Sequence, residues 1–182
     1  FLQKMGVEVW GEGSACIRVT GTQKLRGAEH RLGGDYIEAG SWAVVGAITG
    51  GEVSIEGARD ADIEVVAAVM QRMNVECGMR HGIFHVKPSK PKGVRRITTG
   101  LWPSFPSDLV SLITVLATQA EGRTLVHDWM YELRLFALEQ MSGMGADMFL
   151  ADAHRIIVTG PTKLRGGRVL DSRDLRSGMS LI

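Results

Sequence analysis

An α/β fold assembled from copies of one unit is predicted by three periodicities in the 182-residue sequence. The phrases TGTQKLRG and TGPTKLRG begin at Thr20 and Thr159, 139 residues apart. The series Met5-Gly-Val-Glu-Val, Met73-Asn-Val-Glu-Cys and Met144-Gly-Ala-Asp-Met steps by 68 and then 71 residues. An aspartate precedes an apolar, helix-like run at Asp35, Asp108 and Asp174, with intervals of 73 and 66 that together also span 139. A common period of about 70 residues, longer than most solenoid repeats, marks an internal duplication. The order read within each copy is strand, buried helix, strand, surface helix, strand, strand.

In chain order, residues 1–5 read as the last turn of a helix stopped by Gly6, so Phe1 is not expected to be a natural N-terminus. Residues 7–10 and 15–20 alternate as a hairpin around Gly11 and Gly13, and 29–32 is a short extended piece. The run after Asp35, apolar on most faces, predicts a first buried helix. Residues 52–56 alternate as a strand, 60–73 show helical periodicity, and 75–79 with 83–86 form a second hairpin around Arg80-His81-Gly82. A strand at 95–98 leads to Trp102, Pro103, Phe105 and Pro106, an extended and rigid approach because proline restricts itself and the residue before it. Residues 109–117 are apolar on nearly every face and predict the central buried helix. The pattern then repeats with a strand at 124–128, a surface helix at 132–144 and a hairpin of 146–150 with 155–158. Residues 168–171 are expected to open a third copy with a strand.

A net charge of +1 argues against bulk attraction to nucleic acid or an anionic membrane. Apolar runs of about ten residues fall short of the roughly 20 that cross a bilayer, and no signal-peptide pattern opens the chain. A cytoplasmic location is therefore expected. Cys16 and Cys77 sit in strand patterns and read as small core residues, so no metal centre and no cofactor is expected. His81 and His85 lack the helical register for a shared metal. The basic run Lys87, Lys90, Lys92, Arg95 and Arg96 is broken by proline and glycine and reads as a solvated loop. Neither a dinucleotide-binding fingerprint nor a P-loop is present.

Chemistry concentrates around Asp108. It reads either as a helix cap or as an acid placed where helix N–H groups and ligands meet. Arg134 and Arg176 both sit near expected helix N-termini, where a cation is unfavourable unless an anion neutralises it. That anion is either a bound phosphate or carboxylate, or a neighbour such as Glu132 or Asp174.

FPSDLVSL after the tryptophan-proline approach, the AEG turn, Glu132-Leu133-Arg134, MGAD at 144–147, DLRSGMSL at 174–181 and DYIEAGSWAVVGAITGG at 35–51 together resemble the second half of the UDP-N-acetylglucosamine enolpyruvyl (1-carboxyvinyl) transferase family. The resemblance implies an inside-out α/β barrel lobe of repeated βαβαββ units around buried parallel helices. Residues 33–182 would be that lobe, its third unit truncated, and 1–32 the tail of the preceding lobe. It implies enolpyruvyl transfer from phosphoenolpyruvate to the 3-hydroxyl of UDP-N-acetylglucosamine, the first committed step of peptidoglycan synthesis, with the missing lobe of the same protein as partner. Asp108 matches the proposed base that takes the hydroxyl proton. Met130 matches a residue against the uracil-sugar ligand, and Arg134 and Arg176 match arginines near phosphoenolpyruvate. Glu132 and Asp174, within the same motifs, are further substrate-binding candidates. The sequence departs from the family where glutamines usually follow the acid (here Leu109, Val110, Ser111), where Tyr36 replaces an arginine, and where F-E-N-R appears as Tyr131-Glu132-Leu133-Arg134. The family's lysine-asparagine pair, acid loop and C-terminal phosphate-binding arginine lie outside these residues, so the chain by itself is expected to be inactive. The alternatives are the shikimate-pathway enolpyruvyl transferase and a non-catalytic relative that binds a sugar nucleotide.

Overall fold

The computed structural model describes residues 1–172 and 174–182, which divide into two compact units, Phe1–Gly33 and Gly34–Ile182. The first holds a 3₁₀ turn, Leu2–Met5, and an antiparallel pair, β1 (Glu8–Trp10) and β2 (Arg18–Thr20). The returning segment 21–33 is tied back by Arg26 N–H to the Met5 carbonyl and by the Lys4 ammonium to the Glu29 carbonyl. None of its residues is buried, as follows from a piece too short to enclose a core. Cys16, expected inside, is exposed because the short hairpin has no interior to receive it.

In the second unit, α1 (Tyr36–Thr49) starts where the Asp35 carboxylate accepts the Ile37 N–H at 2.8 Å, and ends at Gly50 in the left-handed conformation that glycine adopts without a Cβ penalty. β3 (Val53–Glu56), β4 (Cys77–Arg80) and β5 (Ile83–Val86) form an antiparallel sheet in the order β3-β5-β4. His81 and Gly82, both with positive φ, make the β4–β5 turn, so that histidine serves the hairpin. Between the strands runs the amphipathic helix α2 (Asp60–Arg72), packed on α1 and β4.

β6 (Arg96–Thr98) then pairs parallel with β7 (Gly122–His127), and the sheet continues through β9 (Arg155–Gly160) to β8 (Asp147–Asp152), both antiparallel. A 3₁₀ turn, Ser107–Leu109, leads into α3 (Val110–Gln119), and every residue from Val110 to Thr118 is buried, as its all-round apolar pattern requires. The helix α1 packs on β3 and β5, and α3 packs on β7 and β9. With these helices touching each other inside and the sheets outside, the unit has the inside-out α/β arrangement. A Cβ on Gly40 would lie 2.7 Å from Leu109 Cδ1, so α1 and α3 approach closely through that glycine, near the start of both helices. The α1 surface is not wholly enclosed: Glu38 and Trp42 are exposed.

Two expected elements differ. The surface helix shrinks to a 3₁₀ turn, Phe136–Glu139, and the short α4 (Gln140–Gly143), because residues 129–135 are held in a loop by bonds described below. Residues 168–171 form no strand. The Gln140 amide takes up both backbone groups of Asp171, accepting from its N–H at 2.9 Å and donating to its carbonyl at 2.7 Å, in place of a neighbouring strand. The chain ends with the short α5 (Leu175–Gly178) and a 3₁₀ turn, Met179–Leu181.

Gly160 closes β9 against the C-terminal carbonyls of α3. A Cβ there would stand 2.5 Å from the Ala120 oxygen and 2.7 Å from those of Ala117 and Thr118. Backbone cannot yield as a side chain does, so Gly160→Ala is expected to cost about 1–3 kcal/mol. Urea unfolding of the full-length protein checks this, and an unchanged midpoint would show that the strand does not rest on α3.

Candidate active site

The three aspartates that head the repeated helices fare differently. Asp35 caps α1, and Asp174 caps α5 by accepting the Ser177 N–H at 2.8 Å. Asp108 caps nothing: it lies inside the 3₁₀ turn, and Leu109, the residue before α3, makes no side-chain cap. Its carboxylate instead accepts from Arg134 Nη1 at 3.1 Å and lies 3.6 Å from Arg176 Nη2. The capping alternative is thereby removed, and the acid is left one-third exposed.

Four segments bring this cluster together. The approach to Asp108 is a tight turn, not an extended run, with Ser104 N–H bonded to the Leu101 carbonyl and Gly100 N–H to that of Phe105. After β7, Asp128 is fully buried, and its carboxylate accepts from Thr99 Oγ1 at 2.8 Å, Ser107 Oγ at 2.6 Å and Met130 N–H at 3.1 Å. Trp129 Nε1 donates to the Thr99 carbonyl at 2.7 Å. These bonds fold the loop after β7 back onto the strand end, and no helix can start at 132. Arg134 therefore lies in a turn ahead of the surface helix, not inside it, and is 5% exposed. Its Nη1 also donates to Ser107 Oγ at 2.8 Å, its Nε lies 3.5 Å from Asp174 Oδ1 without making a hydrogen bond, and its Cζ stands 4.3 Å from the Tyr131 ring centroid. Arg134 thus pairs with Asp174, a neighbour the sequence suggested, and also with Asp108, whereas Arg176 pairs among the described residues with Asp108 and not with Asp174. Glu132, the other candidate partner, is exposed and pairs with no described residue.

The base of α5 closes the cluster. Ser177, fully buried, lies with its Oγ 2.7 Å from Ser111 Oγ, 3.1 Å from the Arg134 carbonyl and 2.9 Å from Asp174 Oδ1. Thus Ser111 ties the start of α3 to the start of α5. Tyr36, at the head of α1, meets Trp102 edge to face at 5.9 Å. Its phenol pKa is raised above 10.0, first by burial and then by the charges of Asp108, Asp35 and Asp62, which outweigh Arg176. The heads of α1, α3 and α5 thus converge on Asp108.

Of the sequence candidates, Asp108, Arg134, Asp174 and Arg176 form one ion-paired cluster, whereas Met130 joins it through its backbone alone and Glu132 stays outside. Sequence reading missed Asp128, Ser107, Thr99 and Ser177. The signal that points to Asp128 is the period-two register of β7, in which Thr124 and Val126 are buried, so that an acid two residues further on faces inward, where charge survives only with hydrogen-bonding partners. Among the described residues no group of three or more His, Cys, Asp or Glu could hold a metal ion. Cys77 is also unsuited to ligation or attack, since burial pushes its thiol up to about 11. No described helix is long and apolar enough to cross a membrane.

Comparison with known proteins places this geometry in context. The family model described as EPSP synthase (3-phosphoshikimate 1-carboxyvinyltransferase) matches residues 1–182. UDP-N-acetylglucosamine 1-carboxyvinyltransferase from Treponema denticola is 35% identical over 190 residues, and that from Borrelia garinii subsp. bavariensis is 36% identical over 189; each match covers 100% of this chain and 44% of the relative. The chain therefore spans less than half the length of these relatives. Among solved structures, the enolpyruvyl transferase NikO from Streptomyces tendae superimposes with a TM-score of 0.80 at 21% identity, covering 98% of this chain and 43% of that one. An EPSP synthase from Acinetobacter baumannii gives 0.68 at 24% identity, covering 98% and 44%. These two likenesses concern the fold.

Proposed function

Since the chain belongs to the EPSP synthase (3-phosphoshikimate 1-carboxyvinyltransferase) family, we propose that it forms part of an enolpyruvyl transferase acting on phosphoenolpyruvate and UDP-N-acetylglucosamine. The observation that carries this is the placement of Asp108 between Arg134 and Arg176 where three helix heads converge. The choice of sugar nucleotide rests on the relatives at 35% and 36% identity. In the proposed reaction the sugar 3-hydroxyl adds to C2 of phosphoenolpyruvate as C3 takes a proton, and the tetrahedral adduct then loses phosphate from C2 and a proton from C3, which restores the double bond. Asp108 receives the hydroxyl proton. Arg134 and Arg176 neutralise the phosphate and carboxylate charges, for which guanidinium groups are suited by geometry and permanent charge. Met130 and Glu132 belong to the sugar-nucleotide side of the same proposal, and Asp174 orients Arg134.

Asp108 and Arg176 are each more than one-third exposed on their side chains, whereas a small-molecule site normally encloses most of its ligand. A second lobe of the same protein, with residues 1–32 as its tail and 33–182 as the lobe described, is accordingly part of the proposal. So are a cytoplasmic location and a role in wall growth, cell shape and division, which follow from peptidoglycan synthesis. The test is release of inorganic phosphate by the full-length protein with phosphoenolpyruvate and either UDP-N-acetylglucosamine or shikimate 3-phosphate. Release with the first acceptor alone is expected. Release only with the second would transfer the reading to the shikimate pathway, and release with neither would leave a non-catalytic relative.

A further inference from the structure

We propose that Asp128 is a positioning residue that sets the orientation of the Arg134 guanidinium through the Ser107 hydroxyl. A serine hydroxyl has one proton and two lone pairs. The buried Asp128 carboxylate accepts the Ser107 O–H at 2.6 Å. This commits the hydroxyl: what Ser107 presents to Arg134 Nη1, 2.8 Å away, is a lone pair. Thr99 and the Met130 N–H fix the other Asp128 oxygen, so the carboxylate cannot turn away. On the guanidinium, Nη1 is then engaged by Ser107 and Asp108, Nε faces Asp174, and Tyr131 lies against Cζ. No described residue accepts from Nη2. The relay thus holds the guanidinium by Nη1 and leaves the Nη2 hydrogens for an oxyanion. The direction of the Nη2 hydrogens follows the angle of the guanidinium plane, and a shift of about 1 Å at a reacting group costs up to about 10²-fold in rate.

The inference rests on the reading of Arg134 as a phosphoenolpyruvate ligand, and its test separates the two. In the full-length protein with ¹⁵N-labelled arginine, the Arg134 Nε–H resonance is identified by its loss in Arg134→Lys. Asp128→Asn and Ser107→Ala are both expected to shift that resonance. Both should raise the KM for phosphoenolpyruvate about tenfold or more while the KM for UDP-N-acetylglucosamine stays within about twofold, and Ser107→Thr, which keeps the hydroxyl, should recover most of the loss. A resonance unmoved in Ser107→Ala overturns the relay, even if Asp128→Asn shifts it or fails to fold. A shifted resonance in a protein that turns over neither substrate would uphold the positioning and reject the enzymatic reading.

Discussion

Asp108→Asn in the full-length protein is expected to lower kcat by about 10²-fold or more, the effect of losing a general base, with little change in melting temperature. Asparagine keeps the shape, and its amide oxygen still accepts from Arg134 Nη1, now 3.1 Å from the carboxylate. It cannot take the proton of a hydroxyl. The ion pairs surrendered are partly solvated, and such pairs contribute no more than about 1 kcal/mol. Since Asp108 caps no helix, Asp108→Leu does not forfeit a cap. It strips an acceptor from a buried arginine, so its stability loss should exceed that of Asn and should largely vanish when Arg134 is also replaced. Turnover by Asp108→Asn equal to wild type would sink the assignment of this acid as base.

Arg134→Ala is expected to destabilise the protein by about 3–5 kcal/mol, the range for removing one partner of a buried charge network. The side chain is 5% exposed, and its loss would leave the Ser107 oxygen and the Asp108 carboxylate without their Nη1 donor and Asp174 without its neighbouring positive charge. Arg176→Ala is the control. That side chain is 41% exposed and, among the described residues, makes a single long ion pair of 3.6 Å, so its deletion should cost no more than about 1 kcal/mol while still weakening phosphoenolpyruvate binding. Urea unfolding and phosphoenolpyruvate titration of both variants decide the matter. Equal stability losses would mean that Arg134 is as solvated as Arg176.

The elements that could be read from residues alone are those whose cause is local. Asp35 before an apolar run and Gly50 after it bound α1, and alternation places β3 and β5, because capping, left-handed glycine and period-two burial act within a few residues. The expected strand at 168–171 fails for the opposite reason. A strand exists only with a partner, and the Gln140 amide answers for Asp171 instead.

Spacing and contiguous motifs suffice for the duplication and the inner helices, and they single out Asp108, Arg134, Asp174 and Arg176, which the structure brings into one ion-paired cluster. Which repeated acid caps and which pairs depends instead on packing. Asp35 and Asp174 cap, whereas Asp108 meets an arginine 26 residues away. Packing likewise decided the relay through Asp128, Ser107 and Thr99, hydroxyls and an acid 21 and 29 residues apart. Hydrogen bonds act over about 3 Å, so two groups distant in sequence acquire a joint role only when the packing of α3, β7 and α5 brings them within that range.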